Sequence, residues 1–308
     1  MYAFGIDIGG TKIKIGLFDK KHKLLDKWSI DTKSDTLFTD LANSILDYCH
    51  SSNINLDDII GYGIGVPGYV KNNIALNCVN LKWKNVDVIK EFQKVIGYKA
   101  NVSLLNDAKL AAYGEYDIHN GKYNSIVFIT LGTGIGSGII TDGVIQEGAH
   151  GLCGEIGHII IDEKFNFKCS CGRTGCFETI ASATGILRVA NYLLDKNNIK
   201  GNKFTNTKEV FDKASEGDKI AIEAVDIASE YIAKVFSMLS LVINPDAFII
   251  GGGVSAAGDF LLQRIKKYYN QYCLAEASHV DILISELRND AGIYGSSALI
   301  IKKYGGSL

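Results

Sequence analysis

The chain is expected to be an α/β protein of two lobes, and three observations predict this. Strand-like and helix-like segments alternate in both halves of its 308 residues. A strand, a glycine turn and a second strand open each half, as AFGIDIGGTKIKIGLFD at 3–19 and SIVFITLGTGIGSGIITDG at 125–143. No low-complexity linker separates the halves, so their boundary is a crossing point and not a tether. The length itself suits about two domains.

In order, YAFGIDI is apolar with alternation at its end, and Gly9-Gly10-Thr11 makes a tight turn. KIKIGLF alternates polar and apolar residues, the period of a half-buried strand. LLDKWSID at 24–31 reads as a third strand. Residues 36–50 carry apolar residues at helical spacing, and IIGYGIGVPG at 59–68 is a strand that ends in glycines. Asn106 is a good N-cap for a helix NDAKLAAYGEYD, with Asp107 in its first turn. A long helix over 219–243 stops before Pro245. DAFIIGGGVS then supplies a short buried strand and a third glycine run.

Composition excludes several function classes. A formal net charge of −2 leaves no electrostatic footprint for nucleic acid. No block of five or six like charges occurs. The start, MYAFGIDIGG, lacks the basic and greasy regions of a signal peptide. The longest apolar run, near Val235–Ile243, falls far short of the ~20 residues that span a bilayer. A cytoplasmic protein with reduced thiols is expected. Cys49, Cys78, Cys153 and Cys273 are scattered and are assigned to packing.

The segment EIGHIIIDEKFNFKCSCGRTGCFE at 155–178 gathers His158, Cys169, Cys171 and Cys176, with Glu155 and Glu178 on its flanks. Three thiolates and an imidazole are one of the closed tetrahedral sets of structural zinc. Gly172 and Gly175 lie where the loop must turn back to present its sulfurs. A disulfide framework is disfavoured by the odd total of seven cysteines and by the absence of secretion signals. Unrelated small buried residues would not cluster in this way.

The glycine loops point to phosphate. In Asp7, Gly9, Gly10, Thr11 and Lys12, the absent Cβ atoms let backbone N–H groups turn toward an anion. Thr11 adds a hydroxyl, Lys12 a charge, and Asp7 could hold Mg²⁺ through water. Gly132, Thr133, Gly134, Ile135 and Gly136 repeat this chemistry in the second half. Each loop alone could be only a turn; two of one design, with Gly252 and Gly253 in a third run, favour function. Lys12 has no Walker frame. Gly63, Gly65 and Gly68 have dinucleotide-fingerprint spacing, but Pro67 lies inside and a strand follows, so that reading is rejected.

Together these motifs resemble the ROK family of bacterial sugar kinases, of the two-lobed actin-like (ribonuclease H-like) sugar-kinase ATPase fold, over essentially the whole chain. DIGGTK at 7–12 and LGTGIG at 131–136 resemble its phosphate motifs. GVPG at 65–68 looks like its sugar-side loop, and LNDAKLAAYGE at 105–115 like the segment of its catalytic aspartate. E-x-G-H at 155–158 with C-x-C-G-x-x-G-C-x-E at 169–178 resembles its zinc and sugar signature, and GGGV at 251–254 its adenosine loop. NLKW at 80–83 and the regular zinc block look most like the glucokinase branch. The chain departs from the pattern at Lys109, where asparagine is more usual, and at Ser137, which replaces a common glycine.

The resemblance implies Asp107 as general base, although spacing alone reads it equally well as a residue that caps its helix. An aspartate is ionised at neutral pH, and a helix N-terminus favours that state, so it can accept a hydroxyl proton. Gly65, Asn106, Glu155, His158 and Glu178 are the implied sugar contacts with Asp107. Asp7, Gly9, Gly10, Thr11, Lys12, Gly132, Thr133, Gly134, Gly252 and Gly253 are the implied ATP contacts. His158, Cys169, Cys171 and Cys176 would hold a structural Zn²⁺, with one His158 nitrogen turned to a sugar hydroxyl. The implied lobes are 1–118, completed by a C-terminal helix over 292–308, and 119–291, which carries the zinc-binding insert 155–178. Closure of the lobes would exclude water.

The expected activity is therefore ATP- and Mg²⁺-dependent transfer of a γ-phosphoryl group to the 6-hydroxyl of glucose, in glycolysis. An N-acetylhexosamine kinase is the alternative. A sugar-binding transcription regulator would carry a helix-turn-helix ahead of the DxGGT strand, and the strand begins at residue 2. The expected partners are a hexose and a second copy in a dimer, without nucleic acid or membrane. The residues leave open the hexose, ATP against polyphosphate, and dimer against tetramer.

Overall fold

The computed structural model describes residues 1–199 and 201–306. The chain forms two compact units. One comprises Met1–Lys122, Ile145–Cys153 and Asn289–Leu308; the other comprises Tyr123–Val144 and Gly154–Arg288.

The first unit begins with β1 (Tyr2–Ile8), β2 (Lys12–Asp19), β3 (Leu24–Asp31) and α1 (Leu37–Ser51). It continues with β4 (Ile59–Val66), β5 (Tyr69–Lys71), β6 (Ile74–Cys78), β7 (Trp83–Asp87) and α2 (Val88–Ile96), then β8 (Val102–Asn106) and α3 (Asp107–Ile118). Its main sheet has the order β3-β2-β1-β4-β8, and β5, β6 and β7 form a small second sheet. The β1–β2 and β2–β3 pairs are antiparallel, while β1–β4 and β4–β8 are parallel.

Both faces of this sheet are covered, which is why β1 reads as an almost continuous apolar run. Phe4, Ile6 and Ile8 pack in one core cluster with Leu37, Leu41 and Ile45 of α1 and Phe92 of α2. Ala3 packs with Ile60 and Ile300 on the other face. A Cβ on Gly63 would lie 1.9 Å from the Ser296 carbonyl oxygen, so only glycine admits the C-terminal helix that closely. Gly63 thus serves helix packing, consistent with rejection of the dinucleotide fingerprint.

The second unit contains β9 (Ile126–Leu131), β10 (Ile135–Thr141), β11 (Val144–Ile145), α4 (Glu178–Ala181), α5 (Ala183–Lys196), α6 (Thr207–Ser215), α7 (Lys219–Val242), β12 (Ala247–Gly251), α8 (Asp259–Tyr272) and β13 (Asp281–Ile284). The C-terminal helix, α9 (Ala291–Tyr304), returns to the first unit and packs on β1, β4 and α3. The second sheet has the order β11-β10-β9-β12-β13, with β9–β10 antiparallel and β9–β12 and β12–β13 parallel. The hairpin design seen twice in the sequence therefore sits at the same place in two sheets of like topology. The Asp218 side chain accepts from the Ala221 N–H at 2.8 Å and starts α7. Phe236 of α7 stacks on Phe248 of β12, with ring centroids 4.1 Å apart. Among the described residues, no helix is long and apolar enough to cross a membrane.

Candidate active site

In the first unit, the glycine turn between β1 and β2 is closed by Gly9 N–H donating to the Lys12 carbonyl at 3.0 Å. The Thr32 hydroxyl donates to the Gly9 carbonyl at 2.8 Å, and the Thr32 N–H to that of Thr11 at 2.9 Å. Gly10 and Thr11 remain exposed at the tip. Asp7 lies at the foot of the turn, where burial pushes its carboxyl above the usual range and Lys14 pulls it partly back. Lys14 is its register partner across the hairpin. Sequence reasoning passed over Lys14, although a tight turn at 9–11 places it opposite Asp7. Lys12 pairs with Asp31 at 2.9 Å, so its ammonium is held along the sheet.

Asn106 and Asp107 stand where β8 becomes α3. The Asn106 side chain accepts from the Lys109 N–H at 3.1 Å, the N-cap that its sequence position predicts. Its amide donates to the Gly68 carbonyl at 3.0 Å and so secures the loop after β4. One Asp107 carboxylate oxygen accepts from the Ala108 N–H at 2.8 Å. A Cβ on Gly65 would come within 3.6 Å of the Asp107 Cα, which places the loop glycine beneath that aspartate. Gly65, Asn106 and Asp107 are thus brought together. Burial, and then the Asp107 carboxylate, push the nearby Cys78 thiol up to about 11, so it stays protonated and inert.

In the second unit, the turn Gly132–Gly134 joins β9 to β10. Gly132 N–H donates to the Gly134 carbonyl at 3.0 Å. The first residues of α5 hold this turn: Ala183 N–H donates to the Gly132 carbonyl at 2.8 Å, and the Thr184 hydroxyl to the Thr133 carbonyl at 2.7 Å. Gly252 has φ +81 and packs on the backbone of Leu131, so the third glycine run lies beside the second. Gly253 is exposed, with open space where its Cβ would be.

The cysteine segment doubles back as its glycines predict. Gly172 and Gly175 take φ of +89 and +79, and bridges pair Ile160 with Cys176 and Lys168 with Thr174. This gathers His158, Cys169, Cys171 and Cys176, whose ligand atoms all lie within 4.8 Å of one another. Cys171 and Cys176 Sγ are 3.6 Å apart, and Cys169 Sγ is 3.6 Å from His158 Nδ1. A tetrahedral ion with metal–sulfur bonds of about 2.3 Å and a metal–nitrogen bond of about 2.0 Å spaces two sulfurs ~3.8 Å apart and sulfur from nitrogen ~3.5 Å. The four side chains therefore fit a bound metal ion. Burial raises the Cys169 thiol, which donates to Glu178 Oε1 at 2.9 Å. At Cys171 burial also works upward, but the Arg173 backbone and side chain and the neighbouring thiols bring it down to about 6.

Glu178 reaches both features of this unit. Its Oε1 lies beside Cys169, and its Oε2 accepts from the Ile135 N–H at 3.4 Å, at the end of the glycine turn. Glu155 is exposed just before the short turn Ile156–His158, and its carbonyl accepts from the His158 N–H at 3.1 Å.

Comparison with known proteins places the chain in a family. Residues 3–303 match the model of the ROK family. A glucokinase of Halalkalibacterium halodurans is 34% identical over 96% of this chain and 94% of its own length. An N-acetylmannosamine kinase of Escherichia coli O127:H6 is 29% identical over 97% of this chain and 98% of its own. The crystal structure of a ROK family glucokinase from Streptomyces griseus, in complex with glucose and AMPPNP, superposes with a TM-score of 0.79 at 27% identity, covering 97% and 99% of the two chains. The fold is accordingly the two-lobed actin-like ATPase fold of ROK sugar kinases.

Proposed function

The chain belongs to the ROK family, and from that premise we propose that it is an ATP-dependent hexokinase acting on the 6-hydroxyl of glucose. It is a sugar kinase, a phosphotransferase with an alcohol group as acceptor. What supports glucose is the 34% identity to a glucokinase over 96% of this chain; what supports Asp107 as the base is its placement on the first turn of α3, next to Gly65 and beside the Asn106–Gly68 hydrogen bond. A kinase of this kind needs a fixed acceptor for the hydroxyl proton more than it needs covalent chemistry.

In this reading Asp107 orients the sugar hydroxyl and accepts its proton as the bond to phosphorus forms. The Ala108 N–H at the start of α3 donates to that carboxylate and fixes its position. Asn106, Gly65, Glu155, His158 and Glu178 receive the sugar's hydroxyls, which both donate and accept. The turns at 9–12 and 132–134, with Gly252 and Gly253, receive the nucleotide and its phosphates. Asp7 would hold Mg²⁺ through water, and the bound ion would neutralise phosphate charge. His158, Cys169, Cys171 and Cys176 would hold zinc, which would fix the 155–178 segment and, through His158, its sugar-facing residues.

N-acetylmannosamine phosphorylation is the second reading, favoured by the Escherichia coli relative that matches almost the full chain. The test is ADP release from Mg-ATP with glucose, mannose, fructose, N-acetylglucosamine and N-acetylmannosamine. A clear preference for glucose is expected. Turnover of an N-acetylated sugar alone would leave the site standing and overturn glucose as acceptor. No turnover with any of the five would overturn the hexokinase reading.

A further inference from the structure

We propose that Lys109 and Ser137 are a pair of positioning residues that clamp the crossover Gly151–Gly154 and thereby set how Glu155 is presented to the acceptor sugar. The inference rests on the reading of Glu155 as a sugar contact. The structure brings both side chains to the same short stretch of backbone.

Lys109 lies two residues beyond Asp107 in α3, and it is only 3% exposed. A lysine is almost never so deeply buried without a partner. Here the ammonium donates to the Gly151 carbonyl at 2.8 Å. Gly151 belongs to Ile145–Cys153, a stretch of the first unit that lies in sequence between two stretches of the second. Gly151 has φ +76, and an added Cβ would lie 3.1 Å from the Tyr69 ring and from the Val70 carbonyl oxygen. Lys109 and the β5 backbone therefore fix Gly151 within the first unit.

Three residues later the chain is in the second unit. There the buried Ser137 hydroxyl donates to the Gly154 carbonyl. Gly154 has φ +93, and its Cβ would meet the Ser137 carbonyl oxygen at 3.0 Å. Its own carbonyl also accepts from the Ile156 N–H at 2.8 Å. Glu155 is held between that hydrogen bond and the turn that carries His158. Only Leu152 and Cys153 separate the two clamped glycines, so the approach to Glu155 has little freedom left to lose. A charge-assisted hydrogen bond such as that of Lys109 is worth more than a neutral one, so Lys109 is the stronger member of the pair.

The test uses the full-length chain with Lys109→Met, which keeps length and removes the donor, with Ser137→Ala, with both together, and with Glu155→Ala as reference. Steady-state constants are measured for sugar and ATP, and hydrogen exchange is followed in the peptide over 148–156. Lys109→Met should raise the sugar KM on the order of tenfold, and Ser137→Ala about threefold, while kcat and the ATP KM change less than about twofold. The double variant should fall short of the product of the two, because both act on one segment. Exchange over 148–156 should quicken in each. Ser137→Ala keeps the proposal testable should Lys109→Met fail to fold. A raised sugar KM in Glu155→Ala, with the clamp variants unchanged in KM and exchange, would overturn the clamp. An unchanged KM in Glu155→Ala would instead overturn the reading of Glu155.

Discussion

The two units share one sheet topology, yet they secure their candidate site residues by different means. In the first, the turn at 9–12 is held by Thr32, and Asn106 and Asp107 are held by the N-cap of α3. Behind them α9 lies so close to β4 that Gly63 has no room for a side chain. Packing and backbone hydrogen bonds supply that rigidity. In the second unit, the 155–178 segment consists of a three-residue turn, two isolated bridges and the glycine turns. So little regular structure would suit a metal ion as the organiser, and Glu178 links the His158–Cys176 cluster to the glycine turn through Cys169 and Ile135. The hairpin turn itself is held by hydrogen bonds in both units, from Thr32 in the first and from Ala183 and Thr184 in the second; the contrast lies in the 155–178 segment.

The largest expected effect probes the first unit's chemistry. Asp107→Ala should lower kcat by about 10²- to 10⁴-fold, the usual worth of a positioned general base, with the melting temperature nearly unchanged. Turnover near that of the parent would show that Asp107 does no more than accept from the Ala108 N–H in the first turn of α3. Metal removal sharpens the contrast most directly. Chelation, or Cys176→Ser, should release the ion, raise hydrogen exchange over 155–178 and weaken sugar binding, while β1, β4 and α9 keep their protection. Equal loosening of both units would erase the distinction. Next in size, Gly63→Ala should destabilise the chain by about 3 kcal/mol, since a methyl group would be forced into the α9 backbone. Gly253→Ala, which meets open space, should change stability by less than about 0.5 kcal/mol and alter only the ATP KM. Urea midpoints of the two variants decide this; equal midpoints would contradict it.

Much of the site was legible because its determinants are local. The turn at 9–12, the Asn106 N-cap and the doubled-back cysteine segment each depend on residues within a few positions of one another. The second hairpin could be recognised by comparison with the first. Tertiary relations were hidden. The spacing of Gly63, Gly65 and Gly68 mimics a phosphate fingerprint, but Gly63 answers to Ser296, Gly65 to Asp107 and Leu110, and Gly68 to Asn77. Lys12 sits beside a glycine turn in sequence, whereas strand register pairs it with Asp31. The reach of Lys109 to Gly151 spans 42 positions, and no period or motif announces it.

The smallest effect expected here concerns what the first unit gives up to hold Asp7. Burial raises this carboxyl above its unfolded value, and Lys14 only partly opposes the shift. Between the unfolded and folded values the folded chain binds more protons than the unfolded one, so stability falls as pH rises through that window and stays lowered above it. Asp7→Asn carries no titrating proton and escapes that loss. The variant should therefore gain on the parent as pH rises from the ordinary carboxylate range, and it should melt at a higher temperature at neutral pH. Its turnover should nonetheless fall, because the amide cannot supply the anionic oxygen that phosphate-bound Mg²⁺ requires. Thermal melts of both proteins from pH 4 to pH 7.5 measure this. A stability difference that does not move with pH would mean that the charge on Asp7 is already compensated by Lys14. The first unit would then hold the Asp7 carboxylate without strain, and its contrast with the second would rest on packing alone.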